Sequence, residues 1–424
     1  MEDIRWVLKK WGIPILFVLL IVIVGIEKRK SGSENMIAGN TKETKDTNQE
    51  ARAQWEKGYD LPLEEAEQAE AVTECKKMME QIQSIYKLAD KGEASNVVLQ
   101  GETMFEMQKA MMETGCPVSV TVAYSAMGNY EKADQFLTDC KKGKSGSAVI
   151  YDVRQDGGIN RMKFIYDGTD MSVVSTSGVW VENDAPGIAY TTYTRIKEWE
   201  YTEKGWFCYE LCVPEPPEVS EIVDGSCLIR IKPMTEEQRE MSKLCVQCIG
   251  YQGNNLLCSD WNLDNLDVLD YNGLYEYLYR MKYGERFYAE KYKEGIPKDE
   301  FESLIMEYLP ISEEKLQEYA EFDETTKVYA WAPLGCGNYA PNFFGTSVPE
   351  VVEVKENPDD TVTLTVNAVC DMVLYDDALI THELTVKFKE DGSFQYLGNE
   401  IREEDKINVP EYQYRVKGEI KNGS

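Results

Sequence analysis

Three observations along the chain predict an α+β fold class. Apolar residues recur at helical spacing between residues 60 and 90. Alternating segments separated by Asp-Gly turns follow between 147 and 232, and helices followed by alternating segments return between 235 and 397. The expected plan is an N-terminal transmembrane helix, a flexible stalk, and two helix-plus-antiparallel-sheet units.

The N-terminal element rests on Trp11–Ile26 (WGIPILFVLLIVIVGI), 16 residues without a charge. At ~1.5 Å per residue this run is short for a ~30 Å hydrocarbon core. Including Trp6, Val7 and Leu8, with Lys9 and Lys10 reaching to the headgroups, lengthens it to a full span. Glu27-Lys28-Arg29-Lys30 follows at once, a poor approach to a signal-peptide cleavage site, so an uncleaved signal anchor is expected. Arg5, Lys9 and Lys10 before the run balance Lys28, Arg29 and Lys30 after it. The short leading tail, residues 1–10, sets the expected orientation: N-terminus inside, C-terminal body outside the cytoplasm. The expected partner of residues 11–26 is the lipid bilayer.

Residues 31–59 are polar and aperiodic and read as the stalk. The first α+β domain is placed at 60–233. Val72, Cys75, Met79, Ile82, Tyr86 and Ala89 form a helical stripe that Gly92 ends, and the Met-rich segment around Met104–Met112 reads as core. A short helix over Asn129–Cys140 precedes strands at Ala148–Val153, Ile159–Tyr166, Met171–Ser175, Tyr193–Thr202, Trp206–Cys212 and Ser226–Lys232.

The second α+β domain is placed at 234–400. Thr235-Glu236-Glu237-Gln238 is a capping box, and a Tyr-rich helix is expected from Asp270 to Tyr292. Shorter helices over Pro297–Leu309 and Ser312–Tyr319 precede strands at Val328–Ala332, Glu350–Lys355, Thr361–Met372, Ala378–Phe388 and Ser393–Leu397. Pairing Val362 with Phe388, Leu364 with Val386 and Val366 with Leu384 puts one apolar face of two strands together. By analogy the two units could be cystatin-like or NTF2-like rolls. Residues 401–424 are expected to be an exposed tail.

The chain has 424 residues, with 45 Lys+Arg against 75 Asp+Glu, and a formal charge of −30. A nucleic-acid partner is excluded, since it would need a basic footprint. A single His excludes any metal centre built on two or more. The 11 cysteines are scattered in a chain long enough to fold without a disulfide framework.

Candidate sites are few. Cys245-Val246-Gln247-Cys248 falls in the last turn of its helix, where the dipole disfavours thiolates, so core cysteines are expected. Asp260, Asn262 and Asp264 open like a calcium loop, but Asn265 and Tyr271 replace its glycine and its bidentate glutamate. His382 lies on the buried face of a strand; it and Cys370 are rejected as a catalytic pair for want of access. The loop Gly335–Gly345 (GCGNYAPNFFG) suits a neutral or sugar-like ligand. The candidate pocket residues are therefore His382, Asn338 and Tyr339. No catalytic residue, metal ligand or cofactor is assigned.

The anchor WGIPILFVLLIVIVGI, the polar stalk and the ending THELTVKFKEDGSFQYLGN (Thr381–Asn399) resemble uncharacterised single-pass, surface-anchored proteins of anaerobic Gram-positive bacteria, families of unknown function. The resemblance implies an extracytoplasmic location and lends no catalytic residue. The function expected is a membrane-anchored binding or interaction protein, without catalysis, for an envelope protein or small ligand. The alternatives are a carboxylate-based hydrolase of envelope glycan and a cytosol-facing protein on a reversed anchor.

Overall fold

The computed structural model describes residues 52–92, 96–335, 344–370 and 378–416. The expected anchor, most of the stalk, and the loop residues Asn338 and Tyr339 lie outside the described residues. Those residues fall into two compact units. One runs to Glu198 and includes Glu210–Gly225; the other is Trp199–Tyr209 with everything from Ser226 on.

The expected fold class needs correction. No helix among the described residues is long and apolar enough to cross a membrane. The sheets also do not form two matching antiparallel rolls. Chain order predicts helices and then strands in both halves, but pairing depends on connections that hydrophobic period does not report.

In the first unit, helix α1 (Glu65–Leu88) and helix α2 (Gly101–Met112) precede a short strand β1 (Val118–Val120). Helix α3 (Glu131–Cys140) carries the chain from β1 to β2 (Gly146–Val153), and the two strands pair in parallel. A parallel pair needs a crossover of this kind, which a two-residue turn cannot supply. Strands β3 (Ile159–Tyr166), β4 (Met171–Val181) and β5 (Ala185–Tyr201) continue antiparallel. Strands β6 (Trp206–Leu211) and β7 (Ser226–Arg230), whose residues fall mostly in the second unit, follow in the sequential sheet order β1–β2–β3–β4–β5–β6–β7.

The stripe of α1 is buried at Cys75, Met79, Ile82 and Tyr86, and packs with Met104, Met107 and Met111 of α2. The Met-rich segment is thus core. Beneath α1, Arg161 of β3 is 1% exposed, and its guanidinium donates twice to Glu74 Oε2, at 2.9 and 2.6 Å. The expected stalk ends earlier than residue 59. Residues 52–57 are helical, and Arg195 donates its backbone N–H to Gly58 O at 2.7 Å.

In the second unit, helix α4 (Glu236–Met241) opens on the expected capping box, with Thr235 and Gln238 exchanging hydrogen bonds. It widens into a π-helical stretch at Ser242–Val246, where the buried Ser242 hydroxyl donates to Gln238 O and accepts from Val351 N. Helix α5 (Tyr271–Tyr283) is shorter than expected, because Gly284 turns left-handed at φ 65° and ends it. Strand β8 (Ile296–Pro297), helix α6 (Lys298–Tyr308), helix α7 (Glu313–Tyr319), and strands β9 (Phe322–Asp323) and β10 (Val328–Tyr329) follow. The three short strands form a sheet of order β8–β10–β9. Tyr275 of α5 stacks on Phe301 of α6 at 5.1 Å, and Phe301 stacks on Tyr329 of β10 at 4.0 Å. These offset ring pairs lock α5 and α6 to the small sheet.

Strands β11 (Val348–Glu356), β12 (Val362–Val369), β13 (Ala378–Phe388) and β14 (Phe394–Ile401) make an antiparallel meander. Leu364 pairs with Leu384 and Val366 with His382, a slip of two residues from the expected register. A slip of two preserves the face, so Leu364, Val366, His382, Leu384 and Val386 are all buried as expected.

Candidate ligand site at the start of helix α5

His382 is fully buried within the second unit. Its Nε2 lies 2.8 Å from the Tyr251 hydroxyl and its Nδ1 lies 2.5 Å from Asn399 Oδ1. The orientation of Asn399 is fixed because its Nδ2 donates to Ser259 O at 2.9 Å. Oδ1 can only accept, so Nδ1 carries the proton and Nε2 accepts from Tyr251. Burial pushes the imidazole down to about 4, against a smaller opposing contribution from Asn399. A neutral imidazole with both nitrogens partnered and no exposed surface is a fastening between β13, β14 and the Tyr251 loop. It is not among the residues that line the depression described below.

The Cys245-x-x-Cys248 pair is equally closed to redox chemistry by its surroundings. Cys245 is buried in the π-helical stretch, and burial pushes its thiol up to about 12. Burial also raises Cys248. A reactive dithiol needs the opposite shift. The calcium-like segment is committed to local structure: Asp260 accepts from Ile401 N and pairs with Lys406, and Asn262 Oδ1 accepts from Asp264 N. Among the described residues no group of three or more His, Cys, Asp or Glu converges as a metal site would require.

Among the described residues, a concave feature lies where the C-terminal segment crosses the start of α5. Asp270 is 4% exposed and caps the helix, its Oδ1 accepting from Gly273 N at 2.8 Å. Its Oδ2 accepts from the Tyr412 hydroxyl at 2.6 Å and from Arg415 N at 2.9 Å. Arg415 is itself buried. It donates to Ala332 O and to Glu276 Oε2, at 2.8 and 2.6 Å, and sits over the Trp331 ring. On the other side Asn272 clamps the backbone of Glu321, accepting from its N–H and donating to its carbonyl.

These ties leave a depression of about 530 Å³. Its walls include Tyr271, Tyr319, Tyr412 and Tyr414, together with Asp270 and Glu321. The volume is within the range of small-molecule sites, roughly 300–1,000 Å³. Burial and the adjacent Asp270 push the Tyr412 phenol well above its ordinary range, so it stays a donor. Tyr414 is 45% exposed and is anchored by its hydroxyl to Val268 O at 2.8 Å.

The site is not legible from the sequence, in which residues 401–424 read as an exposed tail. The one local signal is Tyr412-Gln413-Tyr414-Arg415, where two large aromatic residues alternate with polar ones at strand-like spacing. Of the expected pocket residues, His382 is elsewhere in the core, while Asn338 and Tyr339 are outside the described residues.

Comparison with curated proteins and with solved structures finds no match. A model of a family of unknown function (DUF6070) matches residues 68–415. That span covers most of both units and ends on Arg415, the residue that ties the C-terminal segment to α5, and on it the chain belongs to this family of unknown function (DUF6070).

Proposed function

We propose that the chain is a binding protein that leaves its ligand chemically unchanged, and that the depression at the start of α5 holds that ligand. The observation that carries this reading is how the wall is made. The segment Tyr412–Val416 is drawn across the helix start by bonds from Tyr412, Tyr414 and Arg415. The polar groups that hold it are committed to each other, which leaves ring surface and the Glu321 carboxylate for a guest.

Hydrogen–deuterium exchange on the full chain, with and without a low-molecular-weight envelope extract, tests this. Slower exchange at 269–272 and 412–416 is the expected result. Protection confined to other segments, or turnover of an extract component, overturns it. Turnover of a glycan would favour the second reading, a carboxylate hydrolase. That reading has one specific footing, since Asp270 and Glu321 share the depression. Against it, both Asp270 oxygens already accept hydrogen bonds.

The same proposal places the protein at a cell membrane with its body outside the cytoplasm. Support comes from the sequence alone, in the uncharged stretch Trp11–Ile26 with its basic flanks. Retention in the membrane fraction through an alkaline wash is expected; release into the wash would count against this placement.

A further inference from the structure

We infer that the ligand of the α5 depression is an organic ammonium cation; this rests on the depression being the binding site proposed above.

Three features of the wall converge on that class. The first is charge. Asp270 and Glu321 both line the depression, and among the described residues no Lys or Arg does. An anionic ligand would meet two carboxylates without a compensating base, which disfavours it by Coulomb repulsion in a partly desolvated site.

The second is what the tyrosines offer. Three of the four lining tyrosines have their hydroxyls engaged: Tyr271 donates to Leu266 O, Tyr412 to Asp270 and Tyr414 to Val268 O. A sugar needs donors and acceptors at such positions. Tyr271 is itself buried, but the engaged hydroxyls of Tyr412 and Tyr414 leave ring carbon, and ring faces attract cations through their quadrupole. Tyr412 is better suited still, because a hydroxyl donating to a carboxylate pushes electron density back into its ring.

The third is Glu321. Its backbone is clamped by Asn272, while no hydrogen bond or ion pair to its carboxylate is found among the described residues. It is exposed at the rim and free to meet a charge on the ligand. Aromatic walls and one open carboxylate select a cation with apolar substituents over a hydrated metal ion, which would demand several oxygen ligands. The cavity exceeds a lone trimethylammonium group, so the group attached to the nitrogen is accommodated as well.

The test uses the full chain and titrates it with choline and with its neutral isostere 3,3-dimethylbutan-1-ol, by calorimetry and saturation-transfer NMR. Choline is expected to bind with a dissociation constant of about 1 mM or tighter, the isostere about tenfold more weakly, and Glu321→Gln to weaken choline about tenfold. Because Glu321 is exposed, that variant should fold, and an unchanged unfolding curve checks it. Equal affinity for the isostere, or an unaffected Glu321→Gln, overturns the cation assignment. Absence of choline binding while an envelope extract still protects residues 412–416 overturns it too, and leaves the binding role standing. Protection that avoids this segment removes both.

Discussion

Asp270→Ala is expected to lower the unfolding free energy by about 4 kcal/mol, measured by urea denaturation. The carboxylate caps α5 through Gly273 N and holds the C-terminal segment through the Tyr412 hydroxyl and Arg415 N. Loss of an N-cap costs about 1 kcal/mol. Hydrogen bonds to a charged group contribute about 1.5–3 kcal/mol each, and partial relaxation recovers some of that sum. Truncation also leaves the buried Arg415 N–H without its acceptor, so removal is worse than never having built the site.

Asp270→Asn separates capping from docking. Its single amide oxygen can keep Gly273 N, but its amide hydrogens then oppose the Arg415 N–H, a donor against a donor. About half the effect of alanine is expected. Both variants should expose the bond after Arg415 to trypsin at denaturant concentrations where the wild-type chain resists. Loss of less than about 1 kcal/mol in Asp270→Ala, with unchanged cleavage, would show that the C-terminal segment is held by something else.

How far the sequence reached depended on the kind of information each element carries. Strands β3 and β13 match their predicted bounds, since period-two alternation between turn residues is a local signal. The capping box at Thr235 is local as well. The register of β12 against β13 was missed by two residues, because alternation fixes which face is buried and nothing more. The parallel β1–β2 pair was missed for a similar reason: three residues carry too little pattern, and their partner lies beyond a whole helix. The site was the least legible part. It joins residues 270 and 321 to residues 412–416, a contact between distant segments whose polar groups satisfy one another only after folding. His382 illustrates the converse. Its burial was readable from strand period, but its two partners, Tyr251 and Asn399, come from a loop and a neighbouring strand that no spacing rule connects to it.

The chain has one histidine, so its titration can be read without assignment in a selectively ¹³C-labelled sample. The Cε1 resonance is expected to stay flat from neutral pH down to about pH 5, with nitrogen shifts reporting the Nδ1–H tautomer. The consequence for stability follows from linkage. Burial depresses the folded imidazole to about 4, whereas the unfolded side chain titrates near 6.5. Below about pH 6.5 the unfolded state binds a proton that the folded state refuses, so stability is fully present above that value and declines as pH falls. The decline approaches about 1.4 kcal/mol per pH unit and totals about 3 kcal/mol by pH 4, where the folded imidazole is about half protonated. The upper part of this window, above about pH 5.5, lies clear of ordinary carboxylate titration. His382→Phe is expected to lower stability at neutral pH by leaving Asn399 Oδ1 without its imidazole donor and removing an acceptor of the Tyr251 hydroxyl, and to flatten the slope in that upper window. Nuclear magnetic resonance that shows the folded histidine titrating near 6.5 would mean the imidazole reaches water, and the Tyr251–His382–Asn399 fastening could not be the closed unit that its distances describe.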